Sequence, residues 1–190
     1  MWNCLKVVLG AAVLTFCGAG ANAADAYQVD GVHSAVVFKV NHMNAGNVWG
    51  RFNKISGTVQ FDAEKPEACS ISVDVEATSV DTGNEKRDEH LRSPDFFNVK
   101  EFAKLSFVSK SIKKSGDDYE VSGTFTLHGV SKEITFTAKK TGLAKGMKEE
   151  MRLGLEAVFS IKRAEYGMNY MPDKLGAEIP IVISLECVKQ

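Results

Sequence analysis

The sequence predicts an all-β fold: an eight-stranded antiparallel up-and-down barrel, with a short helical insertion between strands three and four. Three observations lead there. Eight segments alternate apolar and polar residues, which gives each strand one dry face and one wet face. Most links between them are short turn signals such as Ala45-Gly46, Ser115-Gly116-Asp117 and His128-Gly129, so successive strands should be hairpin neighbours. Eight such strands left open would expose hydrophobic edges, and closure removes that liability.

Ahead of the strands, residues 1–23 have the features of a secretory leader. Lys6 is its only charge, Val7 to Phe16 is nearly continuous apolar sequence, and Ala21-Asn22-Ala23 is a small-x-small cleavage site. The apolar run is shorter than the roughly 20 residues a bilayer span requires. Phe16, before Cys17, stands where a lipid-attachment signal wants a small residue. Cleavage after Ala23 is expected, giving an exported, periplasmic chain of residues 24–190.

Strand one, near 33–42, points Val36, Phe38 and Val40 inward; strand two does the same with Ile55, Gly57, Val59 and Phe61. Strand three carries Cys69, Ile71, Val73 and Val75 on one face. The long link 78–103 follows, with a polar helical turn from Asn84 to Arg92. Leu91 is its only large apolar residue, so no broad buried stripe holds it; Asp88 and Arg92 have the favourable i,i+4 charge order. Strand four lies near 104–112, around Leu105 and Phe107. Strand five turns Tyr119, Val121, Phe125 and Leu127 inward, and strand six Ile134, Phe136 and Ala138. Strand seven contributes Met151, Leu153, Leu155, Phe159 and Ile161. A second long link, 162–178, contains Arg163, Tyr166, Gly167, Tyr170 and Pro172, and Ile179, Ile181, Ile183 and Leu185 mark strand eight.

Without the leader 167 of the 190 residues remain, the size of one domain. The leader removes one of 23 Lys and Arg, leaving 22 against 24 Asp and Glu, a net charge of −2. That balance and the lack of any basic run argue against nucleic acid as a partner. Cys69 and Cys187 remain, in a compartment that permits disulfides. Both fall at the bottom rim, roughly 14 Å apart at about 4.8 Å per strand spacing, whereas a disulfide needs Cα atoms within about 7 Å. Bonding would require the barrel base to be pinched shut.

Strand direction gathers polar residues at one end. With strand one running up, both long links lie at the top, and His42, Arg87, His90, Arg163, Tyr166 and Tyr170 surround one mouth. A cationic rim over an apolar bore suits an amphiphile with an anionic or polar head, because arginine's fork donates paired hydrogen bonds. Head-group candidates are His42, Arg87, His90 and Arg163. Tail candidates are Phe38, Val59, Phe61, Val73, Phe107, Phe125, Phe136, Leu155, Phe159 and Ile181. A blander alternative stands beside each: Arg87 and Arg163 pair with Asp81, Asp88 or Glu165 to pin the links, His90 caps or packs, and inward aromatics are ordinary core. His128 is expected in its hairpin turn, and His33 with Asp30 and Ser34 at the barrel base.

Catalysis finds little support. No Gly-x-Ser-x-Gly elbow, His-Glu-x-x-His helix or Cys-x-x-Cys pair occurs. Four scattered histidines offer no defensible metal spacing, so neither a metal nor a cofactor is expected.

The chain resembles the YceI-like, polyisoprenoid-binding family from Tyr27 to Val188. The most specific part is Ser79-Val80-Asp81-Thr82-Gly83-Asn84, followed by Arg87-Asp88, His90-Leu91-Arg92-Ser93 and Asp95-Phe96-Phe97. Asp30, His33, Ser34, Gly123, Leu127, Gly129, Arg163 and Tyr166-Gly167 also fit. Phe102-Ala103 stands where Tyr-Pro is common, and His128 where an apolar residue is usual. The resemblance implies a lipocalin-like barrel that holds a long isoprenoid or similar lipid in an elongated apolar cavity. The expected function is periplasmic binding, storage or transport of such a lipid, without enzymatic activity. Two alternatives are a lipid-modifying enzyme using His42 or His90 as base, and a quinone-delivering partner of a membrane redox protein. Transient membrane contact is compatible with the first reading, and oligomeric state is left open.

Overall fold

The computed structural model describes residues 24–190; the expected leader and its cleavage site lie outside the described residues. The sheet is built from eleven segments: β1 (Asp25–Val29), β2 (Ala35–His42), β3 (Gly46–Phe52), β4 (Ile55–Phe61), β5 (Ser70–Glu76), β6 (Val80–Asp81), β7 (Lys104–Ser115), β8 (Asp118–Leu127), β9 (Val130–Lys145), β10 (Met151–Lys162) and β11 (Glu178–Lys189). Helix α1 (Glu85–Arg92) follows β6 and precedes β7. Every pairing is antiparallel, and β1 against β11 closes the barrel.

Eleven segments make eight strand positions because three strands are broken. β11 pairs with β1 through Cys187 to Lys189 and with β2 through Ile181 to Ser184, so β1 and β2 share one position. β4 lies beside β1 and β3 beside β2, while β5 and β6 flank β4 and β3 in turn. The sequence expectation therefore missed β1, β3 and the two-residue β6 as extended segments.

The break after β1 ties the barrel base together. Asp30 accepts from Val32 N at 3.0 Å and meets His33 Nδ1 at 2.8 Å. Ser34 Oγ accepts from Glu186 N at 3.1 Å, and Asp30 N donates to Glu186 O at 2.8 Å. Arg152 bridges Asp30, Glu150 and Glu186. This is the structural role expected of Asp30, His33 and Ser34. Asp30, Glu186 and His33 could also hold a cation by proximity, but the Arg152 guanidinium already supplies the positive charge there. Burial and nearby Glu186 push the Cys187 thiol up to about 11. Cys69 and Cys187 are both free; Cys69 Sγ instead accepts from Asp62 N at 3.2 Å.

α1 is short, polar and held by hydrogen bonds. Asn84 caps it by accepting from Arg87 N at 3.0 Å. Asp88, the helix's buried residue, accepts from both Thr82 N and Thr82 Oγ1, at 2.9 and 2.5 Å. The expected Asp88–Arg92 pair does not form. Arg92 reaches instead to Thr78 O and Val80 O, both at 2.9 Å, because those carbonyls at the broken third strand position need donors.

Candidate functional site

The barrel encloses a cavity of about 450 Å³ that opens between the two long links. Its wall is overwhelmingly apolar. Phe38, Val73, Phe107 and Phe125 face it, as do Phe136, Leu155, Phe159 and Ile181. On one side the aromatics form a continuous panel: Phe136 stacks on Phe159 at 5.0 Å, with Phe107 5.1 Å from Phe136 and Phe125 6.3 Å from Phe159. Val59 and Phe61, the other two tail candidates, do not face this space. They point inward as their parity requires but sit lower, in a packed layer with Tyr119 and Val121. Alternation gives the direction of a side chain and is silent about its depth in the barrel.

The links supply lining residues that strand parity could not find. Phe97 enters from above and packs edge-on against Phe38 and Phe52, at 6.4 and 5.4 Å. Leu91, Phe96, Met168, Met171 and Leu175 complete the roof. The adjacent pair Phe96-Phe97 in an otherwise polar stretch was the available signal.

At the mouth the four head-group candidates all border the cavity, yet their chemistry differs. Arg163 is 6% exposed, and all five of its N–H groups donate to backbone carbonyls. Nε bonds Gly176 O at 3.0 Å; Nη1 bonds Met168 O and Tyr170 O at 2.8 and 2.9 Å; Nη2 bonds Met171 O and Leu175 O at 3.3 and 3.2 Å. It is a staple for the second link, and the expected alternative partner Glu165 pairs with Lys132 instead. Burial lowers the guanidinium's pKa, and no carboxylate bridges it among the described residues.

Arg87 donates from Nε to Thr82 Oγ1 at 2.7 Å and from Nη2 to Thr82 O at 2.8 Å. Its Nη1 makes no protein hydrogen bond among the described residues. His90 Nε2 meets Asp95 Oδ2 at 2.8 Å, and its ring packs edge-on against Phe96 and Tyr170 at 5.1 and 5.2 Å. It therefore clamps the two links together, the packing role set out as its alternative. His42 is exposed beside a bridge to Leu175, where Met43 N donates to Lys174 O at 2.6 Å.

Of the two tyrosines expected at the mouth, Tyr170 borders the cavity and Tyr166 does not. Tyr166 is buried behind the wall, 5.6 Å from Phe125, and does not face the cavity; burial raises the pKa of its hydroxyl. His128 does more than occupy a turn. Its Nδ1 lies 3.0 Å from Tyr166 O and its ring 4.7 Å from Phe102. Physically, the arrangement offers an apolar, aromatic-walled chamber with a narrow polar border and a roof made by the two long links.

Comparison with known proteins agrees with this architecture. The YceI-like domain matches residues 27–187. The chain is 37% identical to protein YceI of Escherichia coli O17:K52:H18 over 181 residues, 94% of each chain. Its fold is similar to that of Burkholderia cenocepacia BcnA, with a TM-score of 0.74 at 24% identity over 83% of this chain and 98% of that one. A polyisoprenoid-binding domain from Saccharophagus degradans shares the fold with a TM-score of 0.67 at 18% identity, covering 87% and 99% of the two chains. On the match across nearly the whole described barrel, the chain belongs to the YceI-like domain family.

Proposed function

We propose that this protein binds the tail of a long-chain amphiphilic lipid, most simply a polyisoprenoid, inside its barrel, and stores or carries it in the periplasm without altering it. The observation that carries the reading is the enclosed apolar chamber of about 450 Å³. That volume falls in the range of pre-formed small-molecule sites, and a wall lined by phenylalanine rings suits an apolar chain. Membership of the YceI-like family supports the same class of ligand, as does the shared fold of the Saccharophagus degradans domain described as polyisoprenoid-binding. The leader-like residues 1–23 support export.

An anionic head is favoured by charge. Buried charges are ordinarily paired, whereas Arg163 meets only carbonyl oxygens. Its positive charge is left unneutralised at the border of the cavity, where Arg87 also retains an unbonded nitrogen. Native mass spectrometry of the purified chain, followed by lipid extraction, tests the reading. Copurified isoprenoid or another long amphiphile is the expected result. No bound lipid, together with no uptake of a fluorescent isoprenoid, overturns it.

A further inference from the structure

The cavity does not run the length of the barrel. Ile71, Ala138 and Leu155 border it and also border a second apolar space below, of only about 10 Å³. That remnant is what Phe61, Tyr119, Val59 and Val121 leave unfilled. Phe61 meets Tyr119 edge to face at 5.7 Å, and Val59 and Val121 are essentially inaccessible. Beneath the ring of Ile71, Ala138 and Leu155 the bore is thus closed by a packed layer. Lys140, exposed and opposite Leu155 on the neighbouring strand, holds its ammonium 5.9 Å from the centre of the Phe61 ring. A charge that must stay hydrated bounds the apolar zone at that depth.

We propose that Phe61 and Tyr119 form the floor of the bore, and that this floor, with Ala138 above it, sets the longest tail the barrel shelters completely. The proposal rests on the lipid-binding reading and adds its length selectivity. The geometry gives a scale. On β10 the lining runs from Leu155 to Ile161, six steps at about 3.3 Å, which at the usual strand tilt is roughly 15 Å of depth along the barrel axis. A tail longer than the bore must fold within it or project through the mouth. Removing the floor layer would add one inward-facing step on each strand, roughly 5 Å along the axis. Ala138 is buried at the lower border of the cavity, just above the floor layer, so enlarging it would subtract a similar step.

The test uses the leaderless chain, residues 24–190, freed of lipid, and a ladder of prenyl alcohols that lengthen by one isoprene unit. Each is measured by displacement of a fluorescent apolar probe. For the unmodified protein, affinity should climb with each unit and then level off where the bore is full. Phe61→Leu should move that break point to a longer alcohol, and Ala138→Leu should move it to a shorter one. Ala138→Leu adds bulk at the lower border of the cavity without removing any side chain of the packed layer, so it tests the floor even where Phe61→Leu folds poorly. Break points that coincide in the unmodified protein and in Ala138→Leu overturn the floor while leaving lipid binding intact. Failure of the unmodified protein to bind any member overturns the lipid reading, and the floor with it.

Discussion

Replacing Arg163 separates its structural work from its charge. The guanidinium supplies five hydrogen bonds to five carbonyls of the 163–176 link, and that link roofs one side of the cavity. In Arg163→Met all five acceptors lose their donor, although those nearest the surface recover some hydration. Removing one side of a buried charged network costs about 3–5 kcal/mol. For a domain of this size each kcal/mol lowers Tm by about 2–4 °C, so the melting point should fall by about 6–20 °C.

Arg163→Lys is the informative companion. It keeps the charge but offers three donors instead of five, so at least two carbonyls go unpaired at about 1–3 kcal/mol each. Thermal melts should rank the unmodified protein above Arg163→Lys, and Arg163→Met lowest. Hydrogen exchange at Met168, Lys174 and Leu175, whose amides bond within the link, should quicken in both variants before global unfolding. A melting point in Arg163→Met within a degree or so of the unmodified protein refutes the staple.

Four further outcomes are expected. Arg87→Ala loses one exposed anchor to Thr82 and should cost under about 1 kcal/mol, while weakening binding of an anionic amphiphile far more than that of the matching alcohol; equal losses for both would remove Arg87 from head recognition. Asp88→Ala strands Thr82 N and Thr82 Oγ1 and should cost about 2–3 kcal/mol, with faster exchange through α1 as the local readout; an unchanged denaturation midpoint would contradict it. The His33 hydrogen bond, followed by Val32 N and Arg152, holds the Asp30 carboxyl down to about 2 against an ordinary 3.8. Its stabilisation is present above about pH 4 and disappears as pH falls toward 2, so Asp30→Asn should flatten the stability loss across that window; parallel acid titrations would rule this out. In a chain of residues 24–190, a thiol reagent should reach half-buried Cys69 slowly and spare Cys187, whose thiol is fully buried. Both should react after denaturation without reductant, and any shortfall from two thiols would reveal a disulfide.

The barrel was legible because six of its eight strand positions hold long runs in which inward residues are large and outward residues polar. β3 hid itself. Its inward series is Val48, Gly50, Phe52, and the middle position is empty because the Phe38 ring occupies it: a Cβ on Gly50 would lie 2.3 Å from that ring. Its most conspicuous residue, Trp49, faces out beneath Lys39. β1 is five residues long and begins with an aspartate, too short for alternation to register. At the site, parity found Arg163 and the bore wall but not what Arg163 holds, since backbone carbonyls of an irregular link leave no mark in the sequence.

Most polar groups of the two long links are committed to structure: Arg163 to carbonyls, Arg92 to the broken third strand position, Asp88 to Thr82 and His90 to Asp95. Of the head-group candidates, one nitrogen of Arg87, the His42 imidazole and the uncompensated charge of Arg163 remain. A hydrogen bond to such a charged group is worth about 1.5–3 kcal/mol. Sheltering 100 Å² of hydrocarbon is worth about 2.5 kcal/mol. Each such increment of tail surface in the bore therefore rivals the best single head contact, until the chain meets Phe61. On the proposed lipid-binding reading, a barrel arranged this way would sort amphiphiles first by how much chain it can cover and only then by the head they carry.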